Sequence, residues 1–129
     1  MKPSVVITLM LFAVAGCARS DTGMAGEEDA LARELAGRVA GETRTCVSTN
    51  PQQNLRTIDS RTLAYEKGSI LWINRLRSPC AAVNPYNTLI VEGSAGQYCR
   101  GDRIRGLEPG ASIPGPICIL RDWTPYRRR

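Results

Sequence analysis

Hydrophobic residues form one long uninterrupted run near the N-terminus and only short groups in the rest of the chain. Val5 to Gly16 contains no charged residue, and Lys2 precedes it. A run of this length is too short for a membrane-spanning helix, which needs about 20 residues. It is typical of the apolar part of a secretory signal peptide. The pattern therefore predicts export, with residues 1–16 as the signal peptide.

The apolar run ends in Val14-Ala15-Gly16-Cys17, in which an aliphatic residue and two small residues precede a cysteine. This pattern resembles the lipobox of bacterial lipoproteins, which implies cleavage before Cys17 and acylation of that cysteine. Several acyl chains anchor a protein stably, whereas one chain binds a membrane only marginally. In enterobacterial lipoproteins, an aspartate directly after the acylated cysteine goes with retention in the inner membrane. Ala18 occupies that position here, so the outer membrane is favoured. Cleavage after Ala15 is the alternative, and it would leave Cys17 as an odd thiol.

A second pattern, in which apolar residues recur every four positions, predicts an amphipathic helix over residues 27–40. Leu31, Leu35 and Val39 share one stripe of this helix, and Gly41 follows as a stop signal. Residues 17–42 contain six acidic residues against three arginines, so this region is interpreted as an acidic tether. Two roles stay open for the helix. It packs on the following domain, or it only spaces that domain from the membrane.

From residue 43 onwards the pattern changes to short strands and turns. Five strands are predicted, at residues 62–66, 69–74, 87–92, 98–107 and 117–120. The second strand is apolar on both faces and is therefore expected at the centre of a sheet. We predict a mainly β domain over residues 43–129, built as a small antiparallel sheet or a partly open barrel. The segment from Trp123 to Tyr126 is expected to cover a sheet edge.

Four cysteines lie in this domain, at Cys46, Cys80, Cys99 and Cys118. They include no C-x-x-C pair, and an even number of cysteines in a small exported domain is typical of disulfides. The pattern therefore predicts two disulfides, each contributing about 2–4 kcal/mol to stability. Four cysteines allow three pairings. We favour Cys46–Cys118, which would join the ends of the domain, together with Cys80–Cys99, which would close its middle.

Several short motifs accompany these cysteines. Ile58-Asp59 precedes the first predicted strand, Asp102 follows Cys99 by three residues, and Gly115 precedes Cys118 by three. With these features, residues 44–126 resemble a family of small exported proteins of Gram-negative bacteria whose function is unknown. Arg121 departs from that family, because a glycine is common at its position. The resemblance supports the domain boundaries and the disulfides, and it implies no activity.

The residue types narrow the chemistry that this chain can perform. The sequence contains no histidine, which excludes Ser-His-Asp and Cys-His catalysis and the usual zinc sites. No metal and no cofactor are expected. Asp59 and Asp102 are the candidate carboxylates of a small hydrolase acting on the cell wall, provided that they converge. Simpler roles are a turn at Asp59 and an ion pair at Asp102, which lies among arginines.

Basic residues dominate the predicted domain, with thirteen against six acidic ones. Such an excess favours anionic surroundings, which in a cell envelope are phospholipid, lipopolysaccharide or acidic wall polymers. Nucleic acid is not expected for an exported protein.

The tripeptide Arg100-Gly101-Asp102 is interpreted as a chance match to integrin-binding sequences. The arginines alternate with Tyr98, Trp123 and Tyr126, and they form either a solvated surface or a candidate anion-binding surface, consisting of Arg100, Arg103, Arg105, Arg121, Arg127, Arg128 and Arg129.

The sequence thus favours a lipid-anchored cell-envelope protein that faces the periplasm, with a domain that binds rather than catalyses. Its partner would be another envelope protein, which it could also inhibit or assist in folding, or an anionic envelope polymer. The alternative is a cell-wall-acting hydrolase that uses Asp59 and Asp102.

Overall fold

The computed structural model describes residues 22–93 and 95–129. The signal peptide predicted over residues 1–16 and the acylation predicted at Cys17 lie outside these residues. No helix within the described ranges is both long enough and apolar enough to cross a membrane.

One helix and ten strands make up the described part of the chain. Helix α1 spans Thr22–Leu35. The strands are β1 (Arg38–Ala40), β2 (Cys46–Ser48), β3 (Arg56–Asp59), β4 (Thr62–Lys67), β5 (Ile70–Arg75), β6 (Thr88–Glu92), β7 (Gln97–Cys99), β8 (Arg103–Leu107), β9 (Cys118–Ile119) and β10 (Trp123–Arg128).

The strands form three open antiparallel sheets. The largest has the order β1-β10-β5-β4-β3, so β5 is central, as its apolar sequence predicted. A tight hairpin joins β4 to β5, and Gly68 adopts the left-handed conformation that such turns favour. The other sheets are the pair β2-β7 and the three-stranded β6-β8-β9. The prediction of a mainly β, antiparallel fold with one helix is confirmed, and the sheets do not close into a barrel.

Apolar side chains cover both faces of the five-stranded sheet. On one face, Leu63, Tyr65 and Trp123 pack with Ile104 and other residues of the smaller sheets. The ring of Tyr98 from β7 stands edge-on to Tyr65 and stacks on Trp123, which links two sheets through aromatic contacts. This larger cluster forms the main core of the domain.

The opposite face of the same sheet carries the helix. Leu31 of α1 is buried against Ala64, Leu71 and Ile73. Glu34 accepts two hydrogen bonds from Arg56 of β3, both 2.8 Å long. Of the two roles left open for the helix, the structure therefore shows packing on the domain.

The predicted helix over residues 27–40 is wrong at its C-terminal end. Gly37 adopts a positive φ of 70° just after the helix ends, and the chain then forms β1. Val39 lies opposite Arg127 of β10 instead of completing the apolar stripe of the helix. Leu31 and Leu35 already pack against the sheet. If the helix continued for another turn, β1 could not form, and β10 would keep only β5 as a neighbouring strand.

Two strand predictions also need correction. The strand predicted over residues 98–107 is divided at Gly101, whose φ is 93°, into β7 and β8, which belong to different sheets. The segment from Trp123 to Tyr126 does not cover an edge. It forms most of β10, which lies between β1 and β5 inside the large sheet.

The two predicted disulfides are present, but the favoured pairing is wrong. The disulfides join Cys46 to Cys99 and Cys80 to Cys118. Cys46 and Cys99 face each other directly in the register of β2 and β7. The main-chain N–H of Cys80 donates to the carbonyl of Ser60, and its disulfide connects this segment to β9, which carries Cys118. The fold therefore brings together different cysteines from those suggested by their order in the sequence, and for Cys46 and Cys99 it does so through strand pairing.

Candidate functional site

One cavity is a groove of about 770 Å³ between residues 76–81 and residues 116–122. The disulfide between Cys80 and Cys118 connects its two walls. On the first wall, the main-chain N–H of Leu76 donates to the carbonyl of Arg61 over 2.8 Å, which fixes the chain where β5 ends. We call this cavity the disulfide groove.

Three arginines give the disulfide groove a positive charge. Among the described residues, Arg77, Arg100 and Arg121 line it, together with one carboxylate, that of Asp122. Arg100 pairs with Asp122 over 3.2 Å, whereas Arg77 and Arg121 form no ion pair with any described residue. The groove therefore has an excess of two positive charges and favours an anionic ligand.

A buried asparagine holds one of these arginines in place. Asn74 is fully buried at the end of the central strand β5. Its Nδ2 donates to the carbonyl of Arg121 over 2.6 Å, and the main-chain N–H of Arg121 donates to its Oδ1 over 3.0 Å. The position of Arg121 at the groove is thus determined by the core of the sheet.

The other wall of the disulfide groove is an apolar strand edge. Ile117 and Ile119 remain 46% and 50% exposed there. Strand β9 is the last strand of its sheet and pairs only with β8 among the described strands. Leu120 directs both its N–H and its carbonyl toward the β8 side. Because these groups alternate along an antiparallel strand, those of Ile119 point away from β8, toward a free edge.

The seven predicted arginines do not share one surface. Only Arg100 and Arg121 line the disulfide groove. Arg105 lies 3.8 Å from Glu92 and donates to the carbonyl of Gly115. Arg127 and Arg128 follow each other on β10 and therefore point to opposite faces of the sheet, where they line two other cavities.

The two remaining arginines of that set lie elsewhere. Arg103 is exposed on β8 opposite Ile119. Arg129 ends the chain, where its main-chain N–H donates to the carbonyl of Gly37.

The sequence pattern did not indicate Arg77 as a groove residue, and the aromatic residues lie elsewhere than that pattern indicated. Arg77 follows a strand without any motif, so only the fold brings it to the groove. Tyr98 and Trp123 stack on each other in the core and are not interleaved with the arginines at the surface. Tyr126 packs on the helix side of the sheet.

The two candidate carboxylates have separate local partners. Asp59 accepts a hydrogen bond of 2.9 Å from the main-chain N–H of Arg61, in the turn between β3 and β4. Asp102 accepts a hydrogen bond of 2.7 Å from the main-chain N–H of Cys99. Its carboxylate lies so close to Gly93 that a Cβ atom at position 93 would clash with it. None of the four main cavities within the described ranges is lined by both residues.

Asp59 instead shares a cavity with Glu27 of the helix. Hydrogen bonds from the hydroxyl and the main-chain N–H of Ser60 lower the pKa of Glu27. Glu27 is therefore held in its ionised form and lacks the raised pKa of a general acid. Within the described ranges, no group of three or more Cys, Asp or Glu side chains could hold a metal ion.

Comparisons with protein-family models, with curated proteins and with solved structures found no match for this chain.

Proposed function

We propose that this protein is a lipid-anchored cell-envelope protein whose β domain binds an extended, acidic segment of another envelope protein in the disulfide groove. The observation that carries the proposal is the free edge of β9, where exposed isoleucines lie beside arginines without acidic partners among the described residues. The domain acts by binding and not by catalysis.

The charge of the groove supports an acidic partner. Arg77 and Arg121 have no ion pair with described residues, and Asp122 neutralises only Arg100. Charge complementarity of this kind guides association and selects partners. An acidic segment would offset the repulsion between the three guanidinium groups.

The apolar strand edge supports a protein segment over a polysaccharide. An extended peptide can add to a free strand edge through main-chain hydrogen bonds, with its alternate side chains in neighbouring pockets. The outward N–H and carbonyl of Ile119 offer such bonds, and the exposed side chains of Ile117 and Ile119 offer apolar contacts. A polymer that carries only charged and hydroxyl groups would leave these apolar contacts unused.

The N-terminal sequence and the disulfides support the proposed location. Disulfides persist in oxidising compartments such as the periplasm. Their presence agrees with a signal peptide over residues 1–16 and an acyl anchor at Cys17. The resemblance to small exported Gram-negative proteins and the favoured outer-membrane location belong to the same proposal.

The alternative function is a small cell-wall hydrolase that uses Asp59 and Asp102. That function needs both carboxylates at one concave surface. Each carboxylate instead accepts a hydrogen bond from a nearby main-chain N–H, so binding is the better supported function.

Site-specific crosslinking in intact cells tests the binding function. A photo-crosslinking residue at position 119 should capture a partner protein, whereas the same residue at position 39 should not. Val39 is a matched control, because its exposure of 47% is close to that of Ile119. Arg121→Glu should abolish the adduct, and Arg128→Glu, on the helix side of the sheet, should leave it unchanged. Equal adducts from positions 39 and 119, or an adduct that survives Arg121→Glu, would contradict the proposal.

A further inference from the structure

A second positively charged cavity lies on the face of the large sheet opposite the helix. Its volume is about 480 Å³, within the usual range for small-ligand sites. Ile70, Trp72 and Pro125 form its apolar floor. Among the described residues, those that line it with a charge are the cations Arg44, Lys67 and Arg127 and the acid Glu42. We call this cavity the tryptophan cavity. It shares no lining residue with the disulfide groove.

The sheet register determines how the cations surround the floor. Lys67 of β4 and Arg127 of β10 both lie directly opposite Ile70 of the central strand. Neighbouring strands are about 4.8 Å apart, so the main chains of the two cations stand about 10 Å apart on either side of Ile70. Both side chains are long enough to reach one anion placed above this residue.

The third cation is also held by the main chain. Arg44 and Trp123 exchange two main-chain hydrogen bonds, each 2.8 Å long. This places Arg44 beside β10, on the side of the sheet that carries the tryptophan cavity. Lys67 is held at the rim, since its Nζ donates to the hydroxyl and to the carbonyl of Ser48.

None of these three cations forms an ion pair with a described residue. The four ion pairs in that part of the chain use other arginines, namely Arg38, Arg56, Arg100 and Arg105. Three cations around one acidic side chain repel one another, and a bound anion would remove that repulsion. The main chain therefore arranges a charge excess that the protein itself does not neutralise.

We infer that the tryptophan cavity binds a phosphoryl group that is joined to an apolar moiety. Arginines form paired hydrogen bonds with phosphate oxygens, and a lysine adds a point charge. Ile70, Trp72 and Pro125 give the apolar moiety a surface beside the charged group. Both a phospholipid and a soluble phosphoryl compound could place a phosphoryl group among the cations. Only the phospholipid would also cover the apolar floor. This inference does not depend on partner binding in the disulfide groove.

Calorimetric titration of the full chain in detergent solution tests the inference. Each ligand is kept below its own critical micellar concentration. The probes are dihexanoyl phosphatidate, glycerol 3-phosphate and zwitterionic dihexanoyl phosphatidylcholine. Dihexanoyl phosphatidate should bind at least about tenfold more tightly than glycerol 3-phosphate because it covers the apolar floor. The choline lipid should bind much more weakly than either. Equal affinity for the first two probes would overturn the apolar part of the inference.

Charge variants test which residues form the site. Arg127→Gln and Lys67→Gln should each weaken phosphatidate binding by about tenfold, as expected for one charge-assisted hydrogen bond. Glu42→Gln should strengthen binding, because it removes the one acidic side chain that the described residues place at the cavity. Arg103→Gln removes the same charge from an exposed site on β8 and should leave binding unchanged.

Two results would overturn the site. One is an equal loss of affinity in Arg103→Gln and Arg127→Gln, which would indicate unspecific attraction to a basic protein. The other is unchanged affinity in both Lys67→Gln and Arg127→Gln. Thermal unfolding of each variant shows whether a loss of binding reflects a loss of fold.

Discussion

Asn74 exchanges two hydrogen bonds with the main chain of Arg121, a residue 47 positions further along the sequence. The asparagine is fully buried, so these bonds satisfy a side-chain amide that water does not reach. They connect the central strand of the large sheet to the chain that follows β9. The wall of the disulfide groove is therefore coupled to the stability of the core.

Replacing this asparagine should destabilise the protein markedly. Asn74→Ala leaves the main-chain N–H and carbonyl of Arg121 without these partners. We therefore expect a loss of about 2–4 kcal/mol in the free energy of unfolding. Urea denaturation monitored by tryptophan fluorescence measures it. Asn54→Ala, at an exposed asparagine, is the control and should change stability by less than about 0.5 kcal/mol. An equally small effect of Asn74→Ala would show that the two bonds contribute little.

The disulfide connectivity can be read directly from the purified protein. A peptide map under non-reducing conditions should join the peptide of Cys46 to that of Cys99, and the peptide of Cys80 to that of Cys118. Removing either pair by double alanine substitution should cost about 4 kcal/mol, because the sequence separations are 53 and 38 residues. A map that joins Cys46 to Cys118 would contradict the observed register of β2 and β7.

The ion pair between Glu34 and Arg56 should make the docking of the helix depend on pH. Hydrogen bonds from Arg56 lower the pKa of Glu34 below its ordinary value of 4.5. A lowered pKa in the folded state stabilises the protein above pH 4.5, and this stabilisation disappears as the pH falls through the lowered pKa. Because both side chains are partly exposed, we expect at most about 1 kcal/mol.

Glu34→Gln measures this contribution. At pH 7 the variant should be less stable than the parent in urea denaturation, and the difference should shrink as the pH falls below 4.5. Glu28→Gln removes the same charge from an exposed position of the helix that has no described ion pair. If Glu28→Gln has the same pH-dependent effect, the general charge of the helix, and not its pair with Arg56, is responsible.

The proposed anchor at Cys17 can be tested by metabolic labelling. Cells grown with labelled fatty acid should incorporate the label into this protein, and Cys17→Ala should abolish incorporation. Cys46→Ala is a control for loss of a cysteine, and it should leave labelling intact. Unchanged labelling in Cys17→Ala would refute the acyl anchor.

Local sequence patterns predicted the strands that form the middle of the fold. Strands β4, β5 and β6 lie within two residues of their predicted bounds, because each is a short apolar group next to turn-forming residues. Strand β10 was not predicted. Pro125 lacks an N–H and is unusual inside a sheet, so the segment lacked a strand signature. The end of the helix was misplaced because Val39 continued its periodicity, although that residue belongs to β1.

The sequence by itself determined the mainly β class, the central position of β5 and the existence of two disulfides. These features follow from local hydrophobic pattern and from the number of cysteines, and both are properties of the chain in its linear order. Only the tertiary structure decided which cysteines pair and that Arg77, Arg100 and Arg121 share one groove. It likewise assigned Asp59 and Asp102 to separate hydrogen bonds. Such relationships depend on strand register between distant segments, and a shift of one residue in that register moves every side chain of a strand to the opposite face.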